Sequence, residues 1–154
     1  MRVIRTVEEM RESRRCISGS VGLVATLGGI HNGHTRHLDM LRPKCDVLIG
    51  SLFLNPTQFA ANEDLSDYPL DEAVDIGNFD EHGADIVFIP PVEEIYPTHG
   101  KDAPPIDPGP AAQSLEGIHR PGHFAGVATV VTRLFSIISP DKATFGEKDA
   151  QQLR

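Results

Sequence analysis

The chain has 154 residues, of which 40% are hydrophobic and 23% charged, the balance of one globular domain with a sizeable core. Its formal charge of −8 argues against a nucleic-acid partner, which needs a basic footprint, yet leaves room for a phosphate site built from a few local donors. No apolar run approaches the ~18 residues of a membrane span.

The N-terminal segment Met1-Arg2-Val3-Ile4-Arg5 lacks the apolar core of a signal peptide, so a cytoplasmic location is expected. Cys16 and Cys45 fit no zinc or redox spacing and read as two reduced thiols. Val3-Ile4 reads as a brief strand, and Thr6-Val7-Glu8-Glu9 as a capping box with Thr6 at the N-cap. Val21 to Thr26 predicts a strand that runs into Gly28-Gly29. A short helix is expected from about His34 to Leu41, stopped by Pro43. Val47 to Leu54 is nearly continuous in apolar residues, as in a strand covered on both faces, and Asn55-Pro56 breaks it. A helix from about Leu70 to His82 ends at Gly83, and Ile86 to Ile89 forms another buried strand before Pro90-Pro91.

Tyr96 to Pro110 is rich in Pro and Gly and reads as an irregular surface excursion. Phe124, Val127, Val130, Val131, Leu134, Phe135, Ile137 and Ile138 then recur at steps of three and four, which predicts a long helix closed by Pro140. Ala143-Thr144-Phe145 reads as a last strand. Strands alternating with helices predict parallel pairing and a Rossmann-like three-layer α/β/α fold over residues 1–154. Ligands of such sheets sit beyond the carboxyl ends of the strands, and each candidate motif falls just after a strand.

The most informative motif is Thr26-Leu27-Gly28-Gly29-Ile30-His31-Asn32-Gly33-His34. Its glycines let backbone approach a ligand, and the helix start offers unpaired N–H groups and partial positive charge to a phosphate. Two histidines three apart can turn the same way and donate hydrogen bonds to charge that builds on phosphate oxygens. Two other readings stay open here: a metal held by His31, His34 and His37, and a purely structural role for the rings.

His31-x-x-His34 after a glycine turn resembles the nucleotidylyltransferase group of α/β folds. Asn55-Pro56-Thr57-Gln58-Phe59, Asp67-Tyr68-Pro69, Glu94-Ile95-Tyr96-Pro97, Leu115-Glu116-Gly117, Arg120-Pro121-Gly122-His123-Phe124-Ala125-Gly126-Val127 and Phe145-Gly146-Glu147-Lys148-Asp149-Ala150-Gln151-Gln152-Leu153 narrow it. In order and spacing they resemble the pantothenate synthetase (pantoate–β-alanine ligase) family across essentially the whole chain.

The resemblance implies an ATP-dependent ligation of pantoate to β-alanine through a pantoyl-adenylate. ATP would lie along Leu27, Gly28, Gly29, Ile30, His31, Asn32, Gly33 and His34 and along Gly146, Glu147, Lys148 and Asp149. His34, as proton donor, with His31 and Lys148 would be the catalytic residues. Gln58 would contact pantoate and β-alanine, Gln152 would contact pantoate, and Asn55, Arg120 and His123 would line the same substrate site. Mg²⁺ would arrive with ATP, near Asp149, with no metal held by the protein itself. A homodimer is also implied.

The residues alone leave room for Lys148 as a surface lysine and for Asp149 as the N-cap of a helix over Ala150-Gln151-Gln152. The chain departs from the family pattern where Ala25-Thr26-Leu27 replaces Pro-Thr-Met and where Leu70 replaces an arginine. Family members also carry a serine-rich loop and a C-terminal lid that lie beyond these 154 residues. Weak ATP binding and little turnover by the chain alone are therefore expected. Two competing functions are another His-x-x-His nucleotidylyltransferase, acting on phosphopantetheine or nicotinamide mononucleotide, and a non-catalytic nucleotide-binding or dimerising remnant.

Overall fold

A computed structural model describes residues 1–58, 71–97 and 105–153. Strand β1 (Arg2–Ile4) leads to helix α1 (Val7–Cys16), β2 (Val21–Thr26), α2 (Asn32–Leu41) and β3 (Val47–Leu52). Then follow α3 (Glu72–Glu81), β4 (Ile86–Phe88), the one-turn helices α4 (Val92–Ile95) and α5 (Glu116–His119), the long α6 (His123–Ile138) and β5 (Lys142–Ala143). Short 3₁₀ turns occupy Pro56–Gln58, Pro110–Gln113 and Glu147–Asp149.

The five strands form one parallel sheet in the order β1-β4-β3-β2-β5. Alternation along the strands divides the core between two faces, because successive side chains point to opposite sides of a sheet. Leu23, Ile49 and Phe88 face α1 and α6, whose Met10, Val130, Leu134 and Ile138 close one layer. Val24, Leu48 and Val87 face α2 and α3, which contribute Leu38, Leu41 and Phe79 to the other. The result is the expected three-layer α/β/α fold. Among the described residues no helix is long and apolar enough to cross a membrane.

Local signals account for most element boundaries. Thr6 caps α1 by accepting from the Glu9 N–H at 3.3 Å, an arrangement worth about 1 kcal/mol. The reciprocal half of the expected capping box is replaced: the Glu9 carboxylate pairs with Arg2. Helix α6 ends at Ser139, in the left-handed region at φ 46°, before Pro140. Cys16 and Cys45 are free thiols.

Several expectations need correction. Helix α2 starts two residues early, at Asn32, because His31 acts as its N-cap. Strand β3 stops at Leu52, and β5 covers only Lys142 and Ala143. Helix α3 begins after the Asp71 cap, while the expected start at Leu70 lies outside the described residues, as does the Asp67-Tyr68-Pro69 motif. Tyr96 is not the start of a surface excursion but a buried core residue, 2% exposed, since Arg133 and Phe53 pack on its ring. Asp149 does not cap a helix over 150–152. It ends a 3₁₀ turn, and turns rather than helix follow.

Candidate active site

Strands β2 and β5 lie side by side, but the chain leaves β2 toward β3 and β4 before returning across the sheet to β5. That reversal makes the carboxyl ends of β2 and β5 the switch point of the sheet, where loops diverge and leave a crevice. A cleft of about 650 Å³ opens there, with Thr26, Leu27, His31 and His34 from the turn after β2 on one wall. Gln58 after β3, His123 and Phe124 at the start of α6, and Lys148, Asp149 and Gln152 after β5 complete it.

The histidine turn is held by its own capping box. His31 Nδ1 accepts from the Gly33 N–H at 3.0 Å, and His34 Nδ1 accepts from the His31 N–H at 3.4 Å. A ring nitrogen that accepts carries no proton, so each imidazole keeps its hydrogen on Nε2. The rings stack with centroids 4.0 Å apart, and both line the cleft. Burial, reinforced by His31, His37 and Lys148 and opposed by Asp75, pushes the His34 pKa down to about 4. At neutral pH His34 is thus a neutral hydrogen-bond donor through Nε2–H, with no additional proton to release.

Backbone amides of the turn are largely engaged, contrary to the expectation of unpaired donors. Asp75, 2% exposed on α3, accepts from the Gly29 N–H at 2.9 Å and the Ile30 N–H at 2.7 Å, one on each carboxylate oxygen. The His34 and Thr35 N–H groups both reach the His31 carbonyl. Gly28 and Gly29 take positive φ values of 108° and 64°, where L side chains are strained, and this brings the loop onto Asp75. Side-chain donors, not a backbone cradle, are what this wall offers an anion.

The opposite wall is a buried carboxamide network. Asn55, 0% exposed, donates from Nδ2 to Gln58 Oε1 at 3.0 Å and to the Gly126 carbonyl at 3.2 Å. Its Oδ1 accepts from the Tyr96 hydroxyl at 2.9 Å and from Thr57. Helix α6 approaches so closely that a Cβ on Gly126 would stand 2.4 Å from the Thr57 carbonyl oxygen, so only glycine fits there. His123 Nδ1 lies 2.8 Å from the Gln58 carbonyl and its Nε2 lies 3.3 Å from Arg120 Nη1. A guanidinium only donates, so the His123 proton is on Nδ1 and is given to Gln58. Arg120 also pairs with Glu116 at 3.3 Å.

The third wall is more open. The Lys148 side chain is 75% exposed and its ammonium lies 3.1 Å from the Asp149 carboxylate. Gln152 is exposed at the rim. Its neighbour Gln151 is engaged: Nε2 donates to the Ala111 carbonyl at 2.9 Å and the Ser114 carbonyl at 2.6 Å, and Oε1 accepts from the Glu116 N–H at 3.1 Å. Among the described residues no group of three or more His, Cys, Asp or Glu side chains is arranged to hold a metal.

The cleft brings together Leu27, His31, His34, Gln58, Arg120, His123, Lys148, Asp149 and Gln152 of the expected site. Asn55 lies behind Gln58 as its partner and does not line the cleft. Gly28, Gly29, Ile30, Asn32, Gly33, Gly146 and Glu147 shape the turns without lining it. Sequence reasoning missed Asp75, Tyr96 and Gln151. Asp75 had a signal, because it stands four residues before the buried Phe79 and so on the buried stripe of its helix.

A sequence profile of the pantoate-beta-alanine ligase family matches residues 2–154. The pantothenate synthetase of Roseiflexus sp. is 48% identical over 152 residues, 99% of this chain and 54% of the relative. That of Sinorhizobium medicae is 48% identical over 157 residues, 100% and 53% of the two chains. A crystal structure of the Thermus thermophilus pantothenate synthetase superposes with a TM-score of 0.90 at 43% identity, over 99% of this chain and 54% of that one. One of the Francisella tularensis pantoate-beta-alanine ligase, complexed with beta-gamma ATP and beta-alanine, superposes with a TM-score of 0.94 at 35% identity, over 99% and 59%. The chain spans about half the length of the curated relatives it matches. It belongs to the pantoate–β-alanine ligase family.

Proposed function

We propose that these residues form the nucleotide- and pantoate-handling part of a ligase that joins pantoate to β-alanine with ATP. The observation that carries the reading is a single cleft, at the switch point of the sheet, with the His31–His34 pair on one wall and Gln58 and Gln152 on the others. The complex of a relative with beta-gamma ATP and beta-alanine supports the ligand set.

A pantoate carboxylate oxygen attacks the α-phosphorus of ATP, the bond to the β-phosphate bridge breaks, and pyrophosphate leaves. The β-alanine amine then attacks the acyl carbon of the pantoyl-adenylate, loses a proton, and AMP departs. No protein nucleophile is needed. Both steps place charge on phosphate oxygens, which the Nε2–H groups of His31 and His34 and the Lys148 ammonium stabilise. Mg²⁺ would come bound to the nucleotide, with Asp149 as a carboxylate on the cleft wall for it to meet.

Pantoate-dependent exchange of labelled pyrophosphate into ATP tests the reading. Exchange that requires pantoate supports it. ATP binding by calorimetry without exchange for any acid points to a non-catalytic nucleotide-binding chain, and exchange with phosphopantetheine or nicotinamide mononucleotide points to a different transferase.

A further inference from the structure

We propose that Tyr96 is a positioning residue for substrate recognition: acting through Asn55, its buried hydroxyl fixes Gln58 so that the carboxamide turns its NH₂ end to the cleft. The inference rests on the functional reading above only for the name of the ligand. Its physical content is the direction of one hydrogen-bond chain.

The two ends of a carboxamide are alike in shape, so only their partners distinguish them. Here the partners do so twice. The Gly126 carbonyl, 3.2 Å from Asn55, can only accept, and the Thr57 N–H, 3.3 Å from the other end, can only donate. Asn55 therefore directs NH₂ at Gly126 and at Gln58, 3.0 Å away, so the Gln58 atom it meets is Oε1. The NH₂ of Gln58 is left as the end that faces the cleft.

Tyr96 is the anchor at the far end of this chain. Its hydroxyl lies 2.9 Å from Asn55 Oδ1 and 3.3 Å from Thr57 Oγ1, so two hydroxyls and one amide converge on a single carboxamide oxygen that can only accept. The ring is held by the Arg133 guanidinium, 4.8 Å from its centroid, and by Phe53 at 6.1 Å. Arg133 is itself tied to the Ile95 carbonyl. Burial raises the phenol pKa, so the hydroxyl keeps its proton throughout the physiological range. A donor-only Gln58 selects a ligand oxygen, as on the carboxylate or hydroxyl of a hydroxy acid, and repels an ammonium group. The amine substrate must therefore approach by its carboxylate or from another wall.

Side-chain amide exchange measured by NMR on the ¹⁵N-labelled chain tests this without ligand. The Asn55 NH₂ exchanges slowly and the Gln58 NH₂ rapidly in the wild type, and Tyr96→Phe, which keeps the ring, speeds Asn55 exchange by about fivefold, the loss of one hydrogen bond. With a non-hydrolysable ATP analogue present, Tyr96→Phe weakens pantoate about fivefold and leaves the analogue's affinity unchanged. Asn55→Asp removes the donor to Gln58, lets its carboxamide reverse, and costs pantoate roughly thirtyfold. A merely structural Tyr96 would lower stability and affect both ligands alike. Equal protection of both carboxamides in the wild type, or Asn55 exchange unmoved in Tyr96→Phe, overturns the proposal. Failure of the wild type to bind pantoate, with the exchange pattern intact, removes the functional reading and upholds the polarity of Gln58.

Discussion

The two long walls of the cleft are built on opposite principles. Behind Gln58, Asn55 is wholly buried and every polar end of its carboxamide has a partner, so this wall keeps its shape before any ligand arrives. After β5, Lys148 is three-quarters exposed and among the described residues pairs with its neighbour Asp149, while Gln152 stands at the rim. The contrast is between side chains fixed by buried partners and side chains left largely to solvent. In the function proposed above, the pre-formed wall would read ligand shape and hydrogen-bond polarity, whereas the open wall would offer the Lys148 ammonium to a nucleotide. The histidine turn lies between the two cases: its rings line the cleft, but its backbone is anchored from beneath by Asp75.

If that anchor is what holds the turn, Asp75→Ala should have the largest effect of any single change outside the apolar core. It leaves two amides without their carboxylate and should destabilise the fold by about 3 kcal/mol, seen as a lower denaturant midpoint, and weaken nucleotide binding more than tenfold. Wild-type stability with normal binding would mean that the turn holds itself. Next in size is Gly126→Ala, which drives a methyl into the Thr57 carbonyl and should cost about 2 kcal/mol. Because the collision is on the carboxamide wall, calorimetry should show pantoate affinity falling further than nucleotide affinity.

A smaller effect concerns pH. The folded-state pKa of His34, about 4, lies below the ~6.5 of an unfolded histidine. Between these values the unfolded chain binds more protons, so this contribution is complete above pH ~6.5 and is lost as pH falls toward 4. The residue is partly buried, and after allowance for solvent screening the loss is on the order of 1 kcal/mol. It should appear as the difference between wild type and His34→Gln in urea midpoints across that window, and identical slopes would contradict it. Smallest in stability is Gln152→Ala on the open wall, which should change the midpoint by less than about 0.5 kcal/mol while still lowering pantoate affinity. A large loss of stability there would show that the two walls are more alike than the structure suggests.

How much of this was legible in the sequence follows the same division. Strand β2, α6 and the sheet class could be read because long apolar runs and three-four spacing are local signals. His31, His34, Gln58, Lys148 and Gln152 could be read because they lie in short motifs, and the cleft unites them. The start of α2 was misplaced because histidine is an unusual N-cap, and its capping box depends on ring geometry. Asp75 and Tyr96 were missed because their work is done across the chain, 45 or 46 residues from the turn and 41 from Asn55. Tyr96 was also obscured by the Pro- and Gly-rich stretch it adjoins, since composition reports the neighbourhood and not the burial of one ring.

The central claim is that the stacked rings of His31 and His34, neutral and protonated on Nε2, donate to the nucleotide phosphates. Long-range ¹H–¹⁵N spectra of the histidine rings at pH 7, recorded with and without Mg²⁺ and a non-hydrolysable ATP analogue, test it directly. The account predicts Nε2–H tautomers for both rings in the free chain and a shift confined to their Nε2–H groups on adding nucleotide. Protonation on Nδ1, or resonances of both rings that stay still while nucleotide binds, would contradict it.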